Sequence, residues 1–124
     1  MKLAIVGSRD VQETEENLTT LLEYLSHVYF VWEVIDEIVS GGARGADSLA
    51  EQAASRLLVP CKVFPANWDN LGKRAGFARN QLIADCADAG IALLSKPLTE
   101  SNGTCHTVNM LRQQGKNVLI VRGF

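Results

Sequence analysis

The sequence predicts an α/β protein, a three-layer α/β/α sandwich around a mostly parallel five-stranded sheet. Three observations carry this. Runs such as Leu3–Val6 and Ile91–Ser95 are apolar without alternation, the pattern of strands buried on both faces. Between the runs lie segments with apolar residues at helical spacing. The order is β-α-β-α-β-α-β-α-β, and such alternation covers a parallel sheet with helices on both sides. The class is therefore Rossmann-like. Its ligands bind outside the carboxyl ends of the strands, near the switch in strand order.

The first strand, Leu3–Val6, stops at Gly7. Asp10 can cap the next helix, with Glu13 three residues on. Leu18, Leu21, Leu22 and Leu25 form the buried stripe of that helix. Val28–Ile35 is apolar, β-branched and aromatic, and its periodicity fits a strand, a helix end or an inserted turn. Glu37–Ser40 is a strand ending at Gly41-Gly42, and Ala46–Leu58 a helix with Leu49, Ala50, Ala53, Ala54 and Leu57 on one face. Pro60 separates it from a short strand, Lys62–Phe64. A polar loop leads to a helix over Ala75–Ala87, with Leu82, Ile83 and Cys86 as its buried side. Ile91–Ser95 is the fourth strand. A loop over Lys96–Gly103 opens a helix through Leu111, Gly115 ends it, and Asn117–Val121 is the last strand.

The 124 residues suit one domain, expected to span 1–124. A hydrophobic fraction of 47% with 21% charged residues excludes a disordered chain. The net charge of −2 argues against a protein that grips nucleic acid mainly through phosphates. No apolar stretch is long enough for a membrane span or a secretory leader, so a cytoplasmic location is expected. Cys61, Cys86 and Cys105 are odd in number and lack metal-ligand spacing, which suits free thiols. No metal set is expected.

Four loops at carboxyl strand ends hold the candidate site. In Ser40-Gly41-Gly42-Ala43-Arg44-Gly45-Ala46-Asp47 the glycines let the backbone approach a ligand, and the following helix start offers amides to an anion. Arg44 adds a charge that an anion would satisfy. Asp47 either answers the helix dipole or accepts from a sugar hydroxyl. In Gly7-Ser8-Arg9-Asp10, Gly7 permits the turn, Ser8 can donate and Arg9 is cationic or simply exposed. In Lys73–Asn80, Arg79 lies four residues before Ile83 and should point toward the cleft, or pair a carboxylate. Trp68, just before, is a lid, a stacking platform or a plug over the core. Ser101-Asn102-Gly103-Thr104 either caps the last helix or makes a second anion-binding terminus. His106, in the first turn of that helix, has no evident orienting partner.

Gly7-Ser8-Arg9-Asp10, Gly41–Asp47, and Phe64-Pro65-Ala66-Asn67-Trp68-Asp69 with Gly72-Lys73, Ala75-Gly76 and Arg79-Asn80-Gln81 together resemble the YspA-like, YpsA-related branch of the SLOG superfamily. The resemblance runs from Met1 to about Val121. Its distant relatives are the LOG nucleotide hydrolases and DprA. It implies a Rossmann-like fold that takes a nucleotide, or an NAD or ADP-ribose type of derivative. The ligand-binding set is Gly7, Ser8, Arg9, Gly41, Gly42, Arg44, Gly45, Asp47, Lys73, Arg79, Asn80, Ser101, Gly103 and Thr104. In the LOG pattern a catalytic Glu follows the Gly-Thr. Here Gly103-Thr104 matches, but the Glu position is Thr107, and a hydroxyl cannot do a carboxylate's acid–base work.

The expected function is binding of a nucleotide-derived ligand, as sensor or sequestering domain. The alternative is an N-glycosidic hydrolase of nucleoside monophosphates or related phosphoribosyl compounds, with Arg79 and Asp47 as its catalytic residues. A DNA-binding module is a third, weakened by the net charge. The apolar Tyr29-Phe30-Val31-Trp32 suggests a homodimer.

Overall fold

The computed structural model describes residues 1–66 and 72–124, without the side chain of Lys73. Five strands form one sheet: β1 Lys2–Gly7, β2 Glu37–Ser40, β3 Cys61–Val63, β4 Ala89–Leu94 and β5 Asn117–Arg122. Four helices are described: α1 Glu15–Val31, α2 Ala46–Leu57, α3 Ala75–Cys86 and α4 Asn102–Gln113. All four strand pairings are parallel, in the order β3-β2-β1-β4-β5. The chain is thus a Rossmann-like three-layer sandwich, with its sheet wholly parallel. The order reverses between β1 and β4, which pair from Leu3 with Ala89 to Gly7 with Leu93. Two crossovers diverge there, so a crevice opens beyond Gly7.

Alternate residues of each strand face opposite helical layers, and both sets are apolar. Leu3, Ile5, Ile38, Ile91 and Leu93 pack with Leu18, Leu21 and Leu25 of α1 and Leu49, Ala50 and Ala53 of α2. Ala4, Val6, Val39 and Ala92 pack with Ile83 and Ala84 of α3 and Val108 and Leu111 of α4. The second face carries small residues where α4 crosses. A Cβ on Gly90 would stand 2.7 Å from Leu111 Cδ1, so α4 lies directly on the β4 backbone.

Several local expectations are corrected. Thr14, not Asp10, caps α1, accepting from the Asn17 N–H at 3.1 Å. Asp10 accepts instead from the Ser95 hydroxyl across the sheet, at 2.8 Å. Val28–Val31 is the last turn of α1, with Val28 buried and Tyr29, Phe30 and Val31 exposed. The helix continues because its stripe reaches Val28 at the spacing that buried Leu18, Leu21 and Leu25. Leu82 is half-exposed: Asn80, Ile83, Ala84 and Ala87 meet the interior, and Leu82 lies well around the helix from them. Leu57 is 40% exposed in the last turn of α2, which ends at left-handed Leu58. β3 is Cys61–Val63, one residue earlier than its apolar pattern. Gly115 follows α4 at φ +73°, as its spacing predicted. No helix described is long and apolar enough to cross a membrane.

Candidate functional site

The crevice beyond β1 and β4 is a cleft of about 390 Å³. That volume is within the range of about 300–1,000 Å³ common for small-molecule sites. It brings together Gly7, Ser8, Arg9, Asp47, Arg79, Asn80, Ser101, Gly103 and Thr104 from four separate loops. A second hollow, of about 520 Å³, adjoins it and is lined by Arg9, Gly41, Gly42, Arg44 and Arg79, among others. Arg9, Ala43 and Arg79 border both. Gly45 lines neither: it is buried behind the turn. Trp68 and the Lys73 side chain lie outside the described residues.

Two helix N-termini point toward this region, and hydrogen bonding separates them. The turn into α2 engages the amides of Gly42, Ala43, Gly45 and Ala46, leaving those of Asp47 and Ser48 without a partner within the helix. Gly42 N–H donates to Ser40 Oγ at 3.3 Å, Ala43 N–H to Asp47 Oδ2 at 3.1 Å, and Ala46 N–H to the Ser8 carbonyl at 3.2 Å. Gly45 N–H donates to Glu13 Oε2 at 3.2 Å, and the Ser48 hydroxyl donates to the other oxygen of that carboxylate. Glu13 thus occupies the position an anion would take at this helix start. Those contacts, Ser48 first, hold its carboxyl below the usual range.

The start of α4 is different. Its first intrahelical bond runs from Cys105 N–H to the Ser101 carbonyl, so the amides of Asn102, Gly103 and Thr104 have no partner within the helix. Ser101 is the N-cap residue by position, yet its side chain makes no cap bond. Its Oγ is buried and has no hydrogen-bond partner in the described structure. Ser101, Gly103 and Thr104 all line the cleft. The capping role that composition allows Ser101 is not the one it performs.

Arg79 is the joint between the loops. Its Nη1 donates to the Gly41 carbonyl at 2.9 Å and its Nε to Asn80 Oδ1 at 3.0 Å. Asn80, 6% exposed, passes the connection on: its Nδ2 donates to the Gly103 carbonyl at 3.3 Å and lies 3.4 Å from His106 Nδ1. A Cβ at Gly41 would meet the Arg79 guanidinium and the Asp47 carboxylate, so a larger residue there would push both aside. Thr107 lines the cleft, and its hydroxyl donates to the Gly103 carbonyl at 3.2 Å.

Asp47 is 8% exposed and borders the cleft. Burial pushes its carboxyl above the ordinary aspartate range, against the Ala43 amide and the Arg79 and Arg9 charges that favour ionisation. The folded state therefore holds this proton more tightly than the unfolded chain does. Stability from Asp47 is fully present below the unfolded value, about 3.9, and is lost as pH rises through the raised folded value. Asp47→Asn is accordingly expected to gain in Tm over the parent as pH rises from 3.5 to 7. A constant difference across that range would refute the assignment. Asp10 behaves oppositely: the Ser8 and Ser95 hydroxyls beside it lower its carboxyl.

Sequence reasoning missed Phe77, Lys96 and Glu100 as lining residues, while Asn102 lines the cleft from within the Ser101–Thr104 loop it named. Lys96 and Glu100 fall at the β4–α4 connection, where the carboxyl-end rule looks for a site. Phe77 carried no signal of its own inside its motif. Among the described residues no group of three or more His, Cys, Asp or Glu is placed to hold a metal ion.

Residues 1–70 match the model of the YspA, cpYpsA-related SLOG family. The chain belongs to this family. The match covers β1 through β3 and ends before α3, so the Arg79 and Ser101–Thr104 loops lie beyond it. The chain is also similar to the Gene 61 protein of Mycobacterium phage D29. The two are 34% identical over 88 residues, 66% of this chain and 68% of the phage protein. In this SLOG protein the motifs Gly7–Asp10 and Gly41–Asp47 fall inside the matched region, and Gly7, Ser8, Arg9, Ala43 and Asp47 from them line the cleft.

Proposed function

We propose that this SLOG protein binds a nucleotide-derived ligand in the β1/β4 cleft, with the ligand's anionic end on the amides of α4 and its sugar near Asp47 and Arg79. One observation carries the reading: the buried, unpartnered Ser101 hydroxyl stands beside three amides that lack helical partners, at a helix start whose dipole favours an anion. A buried polar atom left unpaired costs stability, and a phosphate oxygen would satisfy it. Family membership agrees with nucleotide-related binding. The protein then acts as a sensor or sequestering domain for that ligand.

Isothermal titration with AMP, ADP, NAD and ADP-ribose tests the reading. Binding of at least one is expected, and none at millimolar ligand would sink it. Gly103→Asp separates fold from function. A Cβ at Gly103 meets nothing within 4 Å, and a carboxylate in a first helical turn is favoured by the dipole. The variant is expected to keep or raise its Tm while losing nucleotide binding, because its own charge sits where the phosphate would. Undiminished binding would remove α4 as the anion site.

A second reading is N-glycosidic hydrolysis of a nucleoside monophosphate, favoured by the buried carboxyl of Asp47 at the cleft. A carboxyl raised by burial suits a general acid. Thr107 is no substitute, since its hydroxyl is spent on the Gly103 carbonyl. Release of free adenine from AMP, lost in Asp47→Asn, is the expected result under this reading. Absence of release from the parent protein would reject it.

A further inference from the structure

We infer that Phe77 is the base-stacking platform of the cleft, so that the site selects phosphorylated ligands carrying a flat aromatic base over those carrying only a sugar. The inference rests on the nucleotide reading above and adds the ligand's orientation and the residue that recognises its base.

Phe77 is the third residue of α3 and 58% exposed. A lone exposed aromatic is ordinary on a protein surface. Two things set this one apart. It lines the same cleft as the start of α4. Its ring is also held: His106 of α4 meets it edge to face, with centroids 4.6 Å apart and planes at 87°. In such a contact one ring presents its edge and the other its face. Whichever ring is which, His106 leaves at least one face of Phe77 uncovered.

The platform is coupled to the anion-binding end. His106 Nδ1 lies 3.4 Å from Asn80 Nδ2, and the same Nδ2 donates to the Gly103 carbonyl. Asn80 also receives Arg79 Nε. Guanidinium and helix start therefore belong to one hydrogen-bonded unit spanning α3 and α4, against which His106 packs the Phe77 ring. Amides without helical partners and a well-exposed aromatic ring lining one cleft match a molecule that is anionic at one end and flat and apolar at the other. Stacking tolerates any base, because every base has a π-face, so Phe77 recognises the class and not one member of it.

The test compares AMP with ribose 5-phosphate, which share the phosphate and sugar and differ by the base. The parent protein is expected to bind AMP more tightly than ribose 5-phosphate. Phe77→Ala is expected to weaken AMP about tenfold and leave ribose 5-phosphate unchanged, the size of one lost base stack. Phe77→Trp is expected to restore AMP affinity and to show fluorescence quenching on AMP addition, beyond any in the parent, and none with ribose 5-phosphate. An unchanged Tm in Phe77→Ala checks that its fold is intact. Equal weakening of both probes, or an AMP affinity unaffected by Phe77→Ala, overturns the platform while leaving the nucleotide reading standing. A parent protein that binds ribose 5-phosphate as well as AMP also overturns it. Failure of the parent to bind either probe or any nucleotide of the titration panel overturns both.

Discussion

Gly45→Ala is expected to destabilise the protein by more than about 3 kcal/mol, through two effects that add. Gly45 holds φ +74° with ψ −123°, a backbone conformation open essentially to glycine alone, where an alanine is strained by about 1–3 kcal/mol. Its Cβ would also stand 2.6 Å from the carbonyl oxygens of both Ser8 and Arg9. These are backbone atoms of the β1–α1 loop, and they cannot turn aside as a side chain can. Relief requires the loop to move off the start of α2, which breaks the Ala46 N–H bond to Ser8 and the Gly45 N–H bond to Glu13. Gly115→Ala is the control. Gly115 has φ +73°, and nothing lies within 4 Å of its Cβ position. It should show the cost of a positive φ without a clash, about 1–2 kcal/mol. Chemical denaturation of both variants measures the difference. Equal losses would mean that the close approach of the two loops does not contribute.

Arg79→Ala is expected to have the largest effect on ligand binding. The guanidinium is half-buried at the border of the two hollows, already oriented by the Gly41 carbonyl and Asn80. Two of its donor groups position it, and among the described residues its remaining N–H groups have no acceptor and can meet a ligand oxygen. A charge-assisted hydrogen bond to a buried partner is worth about 1.5–3 kcal/mol, so AMP affinity should fall by about 10- to 150-fold. Arg79→Lys should recover little, because an ammonium cannot hold Gly41 and Asn80 while also reaching the ligand. Titration of AMP against both variants is the measurement. Affinities within twofold of the parent would take Arg79 out of the site. Loss of the Gly41 and Asn80 contacts should also loosen the turn, and a drop in Tm would report that separately.

Much of the fold was legible because its signals are local. Leu3–Val6 and Ile91–Leu94 are apolar without alternation, and only burial on both faces explains that. Leu18, Leu21 and Leu25 mark one face of a helix by spacing alone. Errors arose where several apolar residues competed for one face. Leu82 and Ile83 are adjacent in sequence, and only the docking of α3 on the sheet shows that Ile83 and Ala84 turn inward while Leu82 does not. Asp10 resembled a cap because aspartate usually is one. A serine at position 95, brought beside it by the β1–β4 pairing, claimed it instead.

The sequence by itself determined the order of elements, the parallel sheet and the end of it at which to look for a site. Periodicity and turn residues are properties of neighbours along the chain, and the ligand-side rule follows from strand direction. The state of each helix terminus was decided only in the tertiary structure. By composition the Gly41–Asp47 turn was the stronger anion site, yet Glu13, 32 residues from Gly45, fills its helix start. By composition Ser101 was a plausible cap, yet among the described residues its buried hydroxyl has no partner, at a start whose first amides have none within the helix. The meeting of Phe77 with His106 depends likewise on how α3 packs beside α4. A hydrogen bond made or left unmade depends on which distant group arrives within 3 Å, and on whether water is excluded when it does. Neither is encoded in the spacing of residues along the chain.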